Sequence, residues 1–296
     1  MTVINTNVAA SITANALTKN ERAMSQAMER LSTGQRINNA GDDAAGLAIS
    51  SRMTSQINGL NMAVRNANDA ISLVQTADGA LAEVEAMLQR MRELAVQAAS
   101  GTMSSTDQAA LNTEFNALTA GIDAVADNTQ WNGTNILDAS SNSGTFTFHV
   151  GANASQTVAV TIRDFTTDGG STSVFENLDD TTTSDYEDDD ANDLAGLDIG
   201  TSVSNANTAL TQISHALTRV DAHRAELGAV INRLEYAADN LSNVSQNTSA
   251  SRSRVLDADY AAETTELART QIIQQAATAM LSQANQQAQS VLALLK

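Results

Sequence analysis

Residues 267–296 read LARTQIIQQAATAMLSQANQQAQSVLALLK, and between Gln271 and Leu295 they carry no charged side chain. Apolar or small residues recur at Ile273, Ala277, Met280, Ala284, Ala288, Val291 and Leu295, the three-or-four step of one helix face. Gln271, Gln275, Thr278, Ser282, Asn285 and Gln289 take the same step on another face, where an ordinary surface helix places Lys and Glu. The opposite end of the chain matches. Residues 1–18 are also uncharged, with Ile4, Val8 and Ile12 on one side and Asn7, Ser11 and Asn15 on another. Two neutral amphipathic ends suit helices that pack among copies of themselves, because any charge would be repeated on each neighbour and like charges repel strongly in a confined space. The candidate assembly residues are therefore Ile4, Val8, Ile12, Ile273, Ala277, Met280, Ala284, Val291 and Leu295. A pair of ordinary core helices that lack charge would show the same pattern. Membrane insertion is disfavoured, since the Gln residues interrupt any apolar run long enough to span.

The composition narrows the function classes. A chain of 296 residues can hold two domains and a substantial core. It has no Cys, hence no disulfide and no thiolate metal site. It has no Pro either, where average usage gives roughly fifteen, and long uninterrupted helices tolerate none. The net charge of -18 argues against a duplex nucleic-acid binder and suits a well-solvated outer surface. Met1 is followed by polar and small residues, without the basic and long apolar regions of a cleavable secretory signal.

The helical step continues through Met24, Met28 and Leu31 to Ser32-Thr33-Gly34. A Gly- and Asp-containing stretch to about Arg52, with Asp42-Asp43, then reads either as an ordered connector or as a solvated linker. From Met53 to Ser100 a heptad signal predicts a rod of roughly 70 Å. It runs through Ile57, Leu60, Val64, Ala67, Ile71 and Val74, slips near Ala77–Gly79, and resumes at Leu81, Val84, Leu88, Met91, Ala95 and Ala98. Ser104 and Asp107 form a capping box for a helix with the stripe Leu111, Phe115, Leu118, Ile122 and Val125. Period-two patterns at 145–150 and 157–163 around a Gly151–Ser155 turn predict a β-hairpin. An acidic, Thr-rich segment follows at 164–199, read as a solvated loop rather than a calcium site, because Asp185–Asp190 lacks the central Gly and closing Glu of an EF-hand. A second heptad run holds Val203, Leu210, Ile213, Leu217, Val220, Leu227, Ile231, Leu234 and Leu241, interrupted chiefly at Arg224. A break is expected at Asn247–Arg254 before the terminal helix.

The expected fold is mainly α: a long antiparallel coiled-coil or helical-bundle rod with a small β-hairpin insert and paired terminal helices. The expected division is an inner domain of 1–40 with 255–296, a middle domain of 41–163 with 200–254, and a short outer insert at 164–199. Catalysis and metal binding find no support. His215 and His223 stand eight apart rather than at a zinc-pair spacing, and there is no phosphate loop or nucleophile elbow, so neither catalytic residues nor cofactors are assigned. Asn132-Gly133-Thr134 and Asn153-Ala154-Ser155 fit the N-glycosylation pattern, which also arises by chance.

Several motifs in one order resemble bacterial flagellin. They are Met1-Thr-Val-Ile-Asn-Thr-Asn7, Arg30-Leu-Ser-Thr-Gly-Gln-Arg-Ile-Asn38 with Asp42-Asp-Ala-Ala-Gly-Leu-Ala-Ile49, and Gln89-Arg-Met-Arg-Glu-Leu-Ala-Val-Gln97. Trp131-Asn-Gly133, Ser251-Arg-Ser-Arg254 with Asp257-Ala-Asp-Tyr260, Gln271-Ile-Ile-Gln-Gln275 and Val291-Leu-Ala-Leu-Leu295 complete the series. The resemblance implies a secreted, extracellular filament subunit, exported through the type III flagellar channel, with its terminal helices forming an inner tube. It further implies a homopolymer, an export chaperone on the C-terminal segment, and filament-cap and hook–filament junction proteins as partners. Some members are recognised by a Toll-like innate receptor, and the matching positions are Arg90, Leu94, Gln97 and Glu114. Ala288 stands where many members carry Pro, so an unbroken terminal helix is expected. A secreted helical adhesin that binds through its acidic segment is the competing reading; an enzyme would need a convergent polar pocket.

Overall fold

The computed structural model describes residues 7–167, 173–175 and 194–293, with side chains of the last helix described up to 286. Five α-helices dominate the described residues: α1 (Val8–Thr33), α2 (Ala44–Ala98), α3 (Ser105–Asn128), α4 (Val203–Leu256) and α5 (Tyr260–Ala293). Two small antiparallel pairs join them, β1 (Gln130–Trp131) with β2 (Thr134–Asn135), and β3 (Thr145–His149) with β4 (Thr157–Thr161). The chain forms two compact units, residues 1–57 with 245–296, and residues 58–244.

In the first unit α1 pairs antiparallel with α5. Asn7 accepts the Ala10 amide at 3.0 Å to start α1, and Gly34 ends it at φ 70°, a conformation that favours glycine, with its N–H on the Arg30 carbonyl. The connector is ordered and short. Asp42 accepts the amides of Asn38 and Asn39 and the Gln26 side chain, and these donors hold its carboxyl below the usual range. Asp43 accepts the Gly46 amide at 2.9 Å, so α2 starts at Ala44, not beyond Arg52. The returning chain pairs with this connector: Arg36 N–H donates to Leu256 and Ala258 N–H to Gly34. The expected break at Asn247–Arg254 is absent. Ser245 is buried and Arg252 reaches Thr54, so packing overrides the weak helix propensity of this Ser/Asn/Thr-rich stretch and α4 runs on to Leu256.

In the second unit α2 and α4 pack antiparallel, Ala70 with Leu234 and, further along α2, Asp78 and Glu85 with Arg224. The buried seam of α2 is continuous through Leu60, Ala63, Ala67, Ala70, Val74, Ala77, Leu81 and Val84. No slip occurs at Ala77, and Val64 and Ile71 lie half-buried beside the seam. α3 begins with the expected capping box, Ser104 and Asp107. Asn132 and Gly133, at φ 50° and 78°, make the two-residue turn from β1 to β2, where Gly meets the positive φ at no steric cost. The β3–β4 register sets Phe146 opposite Val160 and Phe148 opposite Val158, and Val158, Val160 and Ile162 are buried.

The segment expected as a solvated insert contributes to this core at both of its described ends. Phe165, Val174, Phe175, Leu194 and Ile199 are fully buried, and the Phe165 and Phe175 rings meet edge to face at 5.9 Å. Asp123 of α3 accepts both the Thr167 amide and its hydroxyl, and Arg219 donates to the Val174 carbonyl. The acidic run Asp185–Asp190 lies outside the described residues.

His223, not Arg224, occupies the seam of α4 between Val220 and Leu227. It is 2% exposed, its ring lies 5.3 Å from Phe165, and among the described residues neither ring nitrogen makes a hydrogen bond of good geometry. Burial lowers its pKa from the ordinary 6.5; Glu226, 3.4 Å from Nδ1, opposes that shift and Arg163 adds to it. The folded chain thus holds the ring neutral, while the unfolded chain takes up a proton as pH falls through 6.5. The stability cost of His223 therefore grows as pH falls below 6.5 and levels off once the folded-state pKa is passed. Chemical denaturation at pH 5.0 and 7.5 should show a smaller loss on acidification for His223→Leu than for the parent chain. Leu88→Ala, which empties a fully buried seam position, should cost about 2–5 kcal/mol in the same measurement.

Candidate assembly surface

Helices α1 and α5 pair through small and polar residues interleaved with a few Leu and Met. Along α1 the positions turned to α5 are Asn7, Ala10, Thr13, Leu17, Asn20, Met24, Ala27 and Leu31, all buried or half-buried. Opposite them on α5 stand Thr270, Gln274, Ala277, Leu281 and Ala284. Asn20 donates to the Thr270 carbonyl at 2.7 Å and Asn7 to the Ala284 carbonyl at 3.3 Å, which fixes the register. At the connector end the pair is anchored by the Arg30–Glu263 ion pair at 3.0 Å and by the Tyr260 hydroxyl donating to the Leu31 carbonyl. Beyond Arg269, α5 carries no charge.

This seam leaves large apolar side chains in water. Val8 and Ile12 lie off the seam, with Ile12 64% exposed. Ala277 and Ala284 are half-buried against α1, whereas Ile273 and Met280 on the same stripe are exposed, Met280 by 58%. Ile272, absent from the predicted stripe, is the most exposed of the set at 66%. The signal for it was available: Ile272 falls outside the three-four step that puts Ala277 and Ala284 on α1, so an apolar residue there has no partner within its own chain. Ile4 and Leu295 lie outside the described residues; Val291 lies within α5, but its side chain is also outside them. An apolar surface flanked by Gln, Ser and Asn and free of charge can pack against another neutral surface; its described residues offer no paired acid and base.

On the second unit Arg90 donates twice to Glu114, at 2.8 and 3.0 Å, and pairs with Glu93. Both neighbours raise the pKa of its guanidinium, Glu114 most. Gln97 is exposed beside them, and Leu94 is buried in the core beneath, so only Arg90, Gln97 and Glu114 of the four predicted positions reach the surface. An open groove of the same unit is lined by Asn66, Asp69, Trp131, Asn132 and His149 and holds no aligned nucleophile and base. No described helix is long and apolar enough to cross a membrane.

Comparison with known proteins identifies the family. Residues 4–142 match the model of the bacterial flagellin N-terminal helical region, and residues 210–295 that of the C-terminal helical region. The chain is 44% identical to the flagellin of Bacillus subtilis over 99% of both chains. It is 45% identical to that of Halalkalibacterium halodurans over 92% of this chain and 91% of the other. The crystal structure of Bacillus cereus flagellin aligns with 60% of this chain and 88% of its own, at 27% identity and a TM-score of 0.46. The chain belongs to the bacterial flagellin family, and it is a structural subunit of the extracellular flagellar filament that serves motility, not an enzyme.

Proposed function

We propose that the exposed apolar sides of α1 and α5 are where copies of this chain meet, so that the paired terminal helices stack as the inner tube of the filament. The observation that carries this is the exposure of Ile12, Ile272, Ile273 and Met280 on helices that lack charge over the same stretch. Full burial of one such side chain is worth about 1.5–3 kcal/mol, and the gain repeats in every subunit. Neutral Gln and Ser side chains between them can bond to a neighbour or to water without like-charge repulsion.

The domain roles follow the same logic. Residues 1–40 and 255–296 are assigned to the inner tube, 41–163 with 200–254 to the middle domain, and 164–199 to a short outer element whose ends are rooted in the core. The acidic centre of that element suits a solvent-facing position. The C-terminal segment, apolar on one side and unpaired there, is a fitting grip for an export chaperone before assembly. The same neutral surface is what a filament-cap protein or a hook–filament junction protein would meet at the ends of the polymer. The Arg90–Glu114 pair with Gln97 forms the exposed face on which a host Toll-like receptor would read the middle domain, and Leu94 would support it from below.

An Ile12→Ser, Ile272→Ser double variant should unfold with the parent's midpoint as a monomer. Its critical concentration for polymerisation, measured by sedimentation, should rise at least about tenfold. Polymerisation at the parent's concentration would refute the proposed surface. Limited proteolysis should cut within α1 and α5 of the monomer and leave both intact in the polymer; equal cleavage in the two states would count against it.

A further inference from the structure

We propose that Met280 is a modification site, at which a two-electron oxidant such as hydrogen peroxide switches the free subunit out of assembly. The inference rests on the assembly surface proposed above. The chain has no Cys and nine Met, so its sulfur chemistry belongs to methionine alone. Met91 is fully buried, whereas Met28, Met62 and Met280 are exposed. Of these three only Met280 sits on a charge-free helix stretch, with exposed Ile273 two turns before it and half-buried Ala277 and Ala284 beside it. Hydrogen peroxide transfers one oxygen to the Met280 thioether: the S–O bond forms, the O–O bond breaks, sulfur loses two electrons, and water leaves. The product places a strong acceptor dipole on a side chain that the polymer buries, and an acceptor buried without a donor is penalised.

The test treats free subunits and preformed filaments with hydrogen peroxide, reads sulfoxide at each Met by peptide mass spectrometry, and measures the critical concentration of the treated subunits. Met280 should oxidise in free subunits about as fast as Met62, and at least about tenfold more slowly in filaments. Treated subunits should need about tenfold higher concentration to polymerise. Met280→Leu subunits, compared with their own untreated sample, should show no such loss. Treated subunits bearing sulfoxide at Met280 that polymerise like untreated ones would overturn the switch and leave the assembly surface standing. An equal peroxide loss in Met280→Leu would overturn the assignment to this residue. Oxidation of Met280 as fast in filaments as in free subunits would overturn the proposed surface and the switch together.

Discussion

The pairing of α1 with α5 mixes small and polar residues with Leu17, Met24, Leu31 and Leu281. Two amide-to-carbonyl hydrogen bonds, from Asn7 and Asn20, hold its register, and alanines bring the helices together. A buried Asn in such a seam specifies alignment at the expense of apolar burial. Ile12, Ile272, Ile273 and Met280 stand on the outside, whereas Leu17, Met24, Leu31 and Leu281 are half-buried in the seam. The physical constraint is thus one of allocation: α1 and α5 bury Asn20, Ala27 and Thr270 between them and keep Ile12, Ile272, Ile273 and Met280 outside.

The second unit shows the opposite allocation. Its seam alternates alanines with Leu, Val and Met at fully buried positions, and Phe115, Phe165 and Phe175 fill the space between helices and hairpin. Small residues such as Ala63, Ala67, Ala70 and Ala77 let α2 and α4 approach closely, and large ones fill the space between them. Arg224, which reads in the sequence as an interruption, spans from α4 to Asp78 and Glu85 of α2 and secures the antiparallel pairing from the side.

Fold class, the capping box, the hairpin and the unbroken terminal helix were legible because each depends on local periodicity or a local hydrogen bond. What failed depended on tertiary contact. Val64 and Ile71 outrank Ala63 and Ala70 by hydrophobicity, yet the alanines take the seam and Val64 and Ile71 lie half-buried beside it. Gly79 suggested a slip at Ala77, but a Cβ there would meet nothing, so this glycine lies on the open side and leaves the seam undisturbed. His223 drew notice only as a metal candidate. Its seam role follows from its spacing of three from Val220 and four from Leu227, and its neighbour Phe165 comes from a segment whose composition reads as solvated. On the assembly surface the stripe was half legible: periodicity finds Ala277 and Met280 together, and cannot say that the first faces α1 and the second faces water.

The distribution of charge along the terminal helices has its own logic. Arg30, Glu263 and Tyr260 fasten α1 to α5 next to the connector, where Gly34, Arg36, Leu256 and Ala258 also bind the two chain crossings through their backbones. Every ion pair of the terminal helices among the described residues lies at or before Arg269. From there to Leu295 the chain uses only neutral groups, so the fastening is electrostatic next to the connector and uncharged beyond it. An ion pair further along would have strengthened the lone helix pair, but it would also have left two charges to desolvate in each copy of the polymer, a cost of several kcal/mol per ion unless the geometry were excellent. Neutral amides avoid that cost because they can bond to a backbone carbonyl, to another amide or to water, and that adaptability suits a surface meeting identical neighbours from more than one direction.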